Sequence, residues 1–120
     1  MTTTTATFDI AALTAALEGR DTAAQLACYL PDAQIVVVDH DNPPRRPRTI
    51  TGAEAISEYL TDVCDRDMTH QVRAALATSD RIAFELACSY PDGTRVTCMC
   101  IAGIASGRIA WHHQVQAWDN

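Results

Sequence analysis

The chain has 120 residues, 48% of them hydrophobic, which suits one globular domain that buries roughly two-thirds of the surface its unfolded chain would expose. Fifteen acidic residues against nine Arg and no Lys give a net charge of -6, a balance that argues against a phosphate-backbone partner, so no nucleic acid is expected. Residues 1–7 lack the basic start and apolar stretch of a secretory signal, and no run is long enough to span a bilayer, so the expectation is a cytoplasmic protein without a membrane partner.

Residues 1–7, rich in Thr, read as a flexible N-terminal segment, and 8–119 as a single domain. Phe8 to Glu18 carries Ile10, Leu13 and Leu17 at helical spacing, with Thr7 as N-cap and Gly19 as stop. Asp21 caps a second helix whose apolar stripe is Ala23, Leu26, Ala27 and Leu30, before Pro31 and Asp32 break it. Gln34 to Asp39 contains a β-branched Ile-Val-Val-Val run and reads as the first strand. From Asn42 to Arg48 three prolines remove donors and fix φ, so the segment is a loop; its three Arg could attract an anion or simply be solvated. Thr51 stands three residues before Glu54 in capping-box spacing, and Ile56, Tyr59, Leu60 and Val63 follow as the apolar stripe of a third helix. Thr69 to Thr78, Arg81 to Tyr90, Arg95 to Ala105 and Arg108 to Ala117 then read as four strands joined by short turns, hence antiparallel neighbours. The fold class is therefore α+β, with helices packed on one face of a curved sheet.

The last strand, extended to Trp118, has two unlike faces: Ile109, Trp111, His113 and Val115 on one, Ala110, His112, Gln114, Gln116 and Trp118 on the other. Either the polar face is merely wetted or it lines an enclosed site. The five Cys, at 28, 64, 88, 98 and 100, are odd in number, sit in apolar runs and read as small buried hydrophobes. His112 and His113 point to opposite faces and cannot chelate one ion together, and no tight ligand spacing occurs elsewhere, so no metal is expected.

Glu18-Gly19-Arg20-Asp21, Leu30-Pro31-Asp32-Ala33, Thr51-Gly52-Ala53-Glu54-Ala55-Ile56, Thr78-Ser79-Asp80-Arg81-Ile82-Ala83 and Ser106-Gly107-Arg108-Ile109, in this order and spacing, resemble the NTF2-like superfamily and in particular its SnoaL-like members, the polyketide cyclase and ketosteroid isomerase-related proteins. The resemblance covers about residues 8–119. It implies a cone, an antiparallel or mixed sheet wrapped around three helices from the N-terminal half, enclosing a pocket for a small-molecule ligand. It also implies a homodimer through the sheet face carrying Ile109, Trp111 and Val115, and a pocket wall formed by His112, Gln114 and Gln116 with Trp118 near the rim.

Related isomerases carry a catalytic carboxylate at the end of the first strand, which Asp39, or Asp41 on the same face, would supply here. His70 matches a pocket His of related dehydratases. Glu85 stands in an otherwise apolar strand, where a carboxylate is costly to bury alone, and either faces the cavity or pairs with Arg73 or Arg95. Asp39, His70, Glu85 and His112 are thus the candidate acid-base groups. Asp41, Tyr59, Gln114 and Trp118 are candidate ligand contacts, with a turn role for Asp41 and a core role for Tyr59 as the plainer alternatives. The positions matching the steroid isomerases' oxyanion donors are Leu13 and Ala102, neither of which can donate, so steroid isomerisation itself is not expected. What remains is binding of an apolar, oxygenated molecule, with cofactor-independent isomerisation, cyclisation or dehydration as the catalytic expectation and a non-catalytic binding or interaction domain as its rival.

Overall fold

The computed structural model describes residues 8–119. The segment 1–7, including the expected cap Thr7, lies outside the described residues. Helix α1 (Ile10–Glu18) is built from strong helix formers and capped by Asp9, whose Oδ1 accepts from the Ala12 amide at 3.0 Å. Helix α2 (Thr22–Leu26) is capped in the same way by Asp21. It stops at Leu26, and the stripe expected to reach Leu30 does not form. Pro31 cannot continue a helix and pushes the residue before it toward extended geometry. Strand β1 (Tyr29–Val38) therefore starts at Tyr29, with a register shift between Tyr29 and Gln34 that accommodates the proline.

A short strand not expected from the sequence, β2 (Arg48–Thr51), pairs antiparallel with β1. Thr51 is consequently held in the ladder opposite Gln34, and the expected capping box is absent. Gly52, at φ 89°, occupies the N-cap of α3 (Ala53–Asp65), which buries Ile56 and Leu60. Strands β3 (Thr69–Ala77), β4 (Arg81–Ser89), β5 (Arg95–Ala105) and β6 (Arg108–Trp118) form an antiparallel meander. Its last turn places Ser106 and Gly107 at φ 53° and 72°, the two-residue geometry that matches strand twist.

The sheet order is β2-β1-β6-β5-β4-β3, with β1 and β6 parallel, so the sheet is mixed. Helix α1 packs against β3, and α3 against β1 and β2. The inward-facing residues of the sheet, among them Ile35, Val37, Ile82, Phe84 and Ala102, form one core with the helices. Among the described residues no helix is long and apolar enough to cross a membrane.

One irregularity changes the reading of β6. Gly103 pairs with Trp111 and Ile104 with Ile109, so β6 carries one extra residue, and the alternation reverses there. Ile109 is 1% exposed in the core. It does not share the outer face with Trp111 and Val115, which corrects the face expected to carry all three. Trp111 itself lies across Gly103, where a Cβ would collide with the indole. The Arg81 guanidinium sits 5.2 Å from the Trp111 ring centroid, and the His113 ring 4.8 Å.

Candidate functional site

Between the helices and the inner face of the sheet lies a cavity of about 490 Å³. Alternation aims Phe84, Leu86 and Cys88 of β4, Cys98 and Cys100 of β5, and His112, Gln114 and Gln116 of β6 toward it. Of the residues singled out from the sequence, Asp39, Asp41, Tyr59, His70, His112, Gln114 and Trp118 line this cavity. Glu85 does not. Its neighbours Phe84 and Leu86 occupy the inner face of β4, so Glu85 projects to the other side, opposite Arg73 of β3 and Met99 of β5.

His112 sits at the centre of the sheet, between Ile35 of β1 and Ala102 of β5, and is 8% exposed. Its Nδ1 lies 2.9 Å from the Tyr29 hydroxyl, and the Tyr29 and Phe84 rings flank it. Burial, helped by the neighbouring His113, lowers its pKa from 6.5 to about 4, so the ring is neutral at pH 7. Burial likewise raises the Tyr29 phenol well above its ordinary range, so that hydroxyl keeps its proton.

Hydrogen-bond arithmetic assigns the tautomer. If Tyr29 donates to Nδ1, only the ring proton on Nε2 lacks a partner; the opposite arrangement strands both the Tyr29 proton and the Nε2 lone pair. The first is the cheaper state. His112 Nε2 is also the one buried side-chain nitrogen or oxygen among the described residues without a hydrogen-bond partner. A buried donor left in this condition costs about 1–3 kcal/mol.

A second polar feature runs along β6. Trp118 Nε1 donates to Gln116 Oε1 at 3.1 Å, Gln116 Nε2 to Gln114 Oε1 at 3.0 Å, and Gln114 Nε2 to the Tyr59 hydroxyl oxygen at 3.2 Å. Every link points the same way, and the chain ends on a hydroxyl whose own proton it does not consume. Burial pushes the Tyr59 phenol up to about 12, a shift that the nearby Cys98 supports and that the Arg48 guanidinium, 5.2 Å from the ring centroid, opposes. Tyr59 is therefore a neutral donor on the cavity wall. At the rim, Trp118 stacks on Tyr90 with centroids 5.8 Å apart and meets His40 edge-on at 6.3 Å, while Arg66 Nη1 donates to the Tyr90 hydroxyl at 3.2 Å.

Asp39 closes the turn after β1. Its Oδ1 accepts from the amides of Asp41 and Asn42 and from Asn42 Nδ2, all within 2.8–2.9 Å. The turn role considered for Asp41 thus falls to Asp39, and Asp41 is exposed. His70 pairs across strands with Cys88, its Nδ1 3.0 Å from Sγ. Leu13 and Ala102 are buried and carry no donor. The donors come instead from Tyr29, Tyr59 and His112. Tyr29 escaped the sequence reading because it sat in the expected second helix, and Cys88 because the cysteines read only as core. The signal for Cys88 was its two-residue spacing from Phe84 and Leu86 opposite a histidine-bearing strand. Among the described residues no three His, Cys, Asp or Glu side chains converge as a metal ligand set.

The SnoaL-like domain family matches residues 10–112 of the chain. No curated protein matches it in sequence. Among solved structures, the proposed ketosteroid isomerase of Kribbella flavida DSM 17836 is similar with a TM-score of 0.75 at 16% identity, covering 90% of this chain and 74% of the other. The NTF2-like protein of unknown function from Mesorhizobium loti gives 0.76 at 14% identity, covering 90% and 87%. IdmH, a proposed polyketide cyclase from Streptomyces antibioticus, gives 0.65 at 23% identity, covering 89% and 88%. These likenesses at low identity concern the fold, and the family match spans most of the chain. The six-stranded mixed sheet curled around three helices is an NTF2-like α+β cone, and the chain belongs to the family of SnoaL-like domains.

Proposed function

We propose that the cavity binds a small, apolar molecule bearing a carbonyl or similar acceptor oxygen, and that the protein catalyses a cofactor-independent isomerisation, cyclisation or dehydration on it. The observation that carries this reading is the buried Nε2–H of His112, which lacks a partner in the wall of a cavity lined by both apolar and polar side chains. A ligand oxygen that displaces the side chains covering it satisfies it, and the Tyr59 hydroxyl supplies a second neutral donor. All three reaction types pass through enol-like species whose oxygen gains charge, and a preorganised donor to that oxygen contributes on the order of 3 kcal/mol. Asp39 is the carboxylate at the cavity mouth suited to take the proton from the carbon beside the carbonyl, since the bonds that hold it fall on Oδ1 alone. The kinship with the isomerase and cyclase structures agrees with this chemistry.

The test is exchange of the α-hydrogens of 2-decalone in D2O, followed by NMR. Exchange accelerated by the protein and lowered about a hundredfold in His112→Phe and Asp39→Asn is expected; exchange at the uncatalysed rate sinks the catalytic reading and leaves the binding role as the alternative.

The partner proposed for the outer sheet face is a second copy of the chain. Met99 is 58% and Val115 54% exposed, they are paired across β5 and β6, and Ile101 lies beside them. A contiguous apolar patch of this kind on a sheet's outer face suits a sheet-to-sheet contact.

A further inference from the structure

The acid-base reading does not use Cys88, and Cys88 is not an ordinary core thiol. It lines the cavity, its Sγ lies 3.0 Å from His70 Nδ1, and Cys98 of the adjacent strand lies diagonally across from it on the same wall. We propose that Cys88, paired with His70, is a nucleophilic thiolate that forms a covalent adduct with an uncharged α,β-unsaturated carbonyl compound entering the cavity.

Geometry and chemistry support this from separate directions. A cysteine and a histidine within hydrogen-bond reach form the arrangement in which a thiol gives up its proton to an adjacent base. The neighbouring Cys98 thiol and then the His70 contact lower the Cys88 pKa below the ordinary thiol range, against the opposing effect of burial, while Cys88 and burial raise Cys98. The group whose charge acts on Cys88 is His70 from β3; Cys98 and Cys100 of β5 share the same wall, helix α3 and its C-terminal cap bring Tyr59 and Arg66 to the same cavity, and α1 brings only the apolar Leu17. No carboxylate is among the groups that shift Cys88.

The substrate class follows from the site. The wall beside Cys88 is built from Leu86, Val96 and Cys98, which favours an uncharged molecule there, and a thiolate is a soft nucleophile that adds to the β-carbon of a conjugated carbonyl. The step balances without a co-reactant. The sulfur forms a bond to the β-carbon, the π pair of the C=C bond moves through to the carbonyl oxygen as an enolate, and the proton held on His70 Nδ1 passes to the α-carbon. The products are a thioether and a neutral imidazole. The inference stands apart from the His112 chemistry and survives its failure.

The experiment is intact-protein mass spectrometry with 2-cyclohexen-1-one, with the adduct located by peptide mapping and its rate followed at pH 5.5, 7.0 and 8.5. Free N-acetylcysteine in the same buffer serves as the reference thiol. An ordinary thiol slows roughly tenfold per pH unit below its pKa, because only the thiolate reacts. The proposal predicts a single adduct on Cys88 whose rate changes less than threefold between pH 7.0 and 5.5, while the reference thiol's rate falls about thirtyfold. His70→Gln is expected to slow Cys88 at least tenfold at pH 5.5. Adducts on Cys64 or Cys28 without one on Cys88, a Cys88 rate that follows the ordinary thirtyfold fall, or an unchanged rate in His70→Gln would each overturn it. Because wild-type mapping decides alone, a Cys88→Ser variant that fails to fold leaves the test intact.

Discussion

The Tyr29 hydroxyl and His112 Nδ1, 2.9 Å apart, join the first residue of β1 to the middle of β6. That one bond fixes the histidine's tautomer and presents its other nitrogen as a donor without a partner. The first prediction tests it. Tyr29→Phe leaves Nδ1 buried and unpaired, so stability in urea falls by about 1–3 kcal/mol. Nitrogen-15 NMR should show His112 losing its single tautomer, whereas an unchanged spectrum would mean the hydroxyl does not hold the ring.

His112 also sets a pH dependence. Its pKa is lowered from 6.5 in the unfolded chain to about 4 in the folded protein by burial. Between those values the unfolded chain binds the extra proton. The His112 contribution is therefore fully present above pH 6.5, is lost as pH falls through the window, and levels off below 4. The difference is about 3 kcal/mol. His112→Gln removes this slope, so unfolding free energies of the two proteins should converge by that amount between pH 7 and pH 4; parallel curves would refute the buried neutral state.

Trp111 and Gly103 are coupled by space. Gly103→Ala forces the indole off the strand and breaks its contacts with Arg81 and His113. A loss of about 1–3 kcal/mol follows, with a red shift of Trp111 fluorescence in a Trp118→Phe background. In a double-mutant cycle, Trp111→Ala should cancel most of the cost of the alanine. Additive losses would show that the clash is not the cause.

For the outer face, Val115→Glu places a charge in the middle of the apolar patch formed with Met99 and Ile101. Sedimentation velocity at micromolar concentration should show a wild-type dimer and a Val115→Glu monomer of unchanged circular dichroism. A wild-type monomer at all concentrations would remove the proposed contact.

Much of the architecture was legible because it rests on local periodicity. The third helix shows in the spacing of Ile56, Leu60 and Val63, and the meander in four alternating runs separated by turn residues such as Ser106-Gly107. What was not legible depends on partners distant in sequence. Strand β2 has four residues beside a proline-rich loop and exists because β1 offers it an edge. Ile109 changed faces because of a single extra residue opposite Gly103, which alternation along β6 alone cannot reveal. Glu85 looked like a candidate because a carboxylate in an apolar run is unusual, yet strict alternation with Phe84 already assigned it to the other side. The positions of His112, Gln114 and Trp118 on one wall were readable from parity within the last part of β6. The donors Tyr29 and Tyr59, which complete that wall, reach it from β1 and α3.

In the proposed function the cavity receives an apolar molecule through an acceptor oxygen held by His112 and Tyr59. The most direct measurement is a titration of isotope-labelled protein with 2-decalone, following the His112 Nε2–H resonance by NMR. Saturable movement of that resonance, with affinity weakened about tenfold in both His112→Phe and Tyr59→Phe, is the predicted result, since each variant removes one hydrogen bond worth roughly 1 kcal/mol or more. A ketone that leaves His112 unmoved at saturation, or binds both variants as tightly as the wild type, would contradict the account.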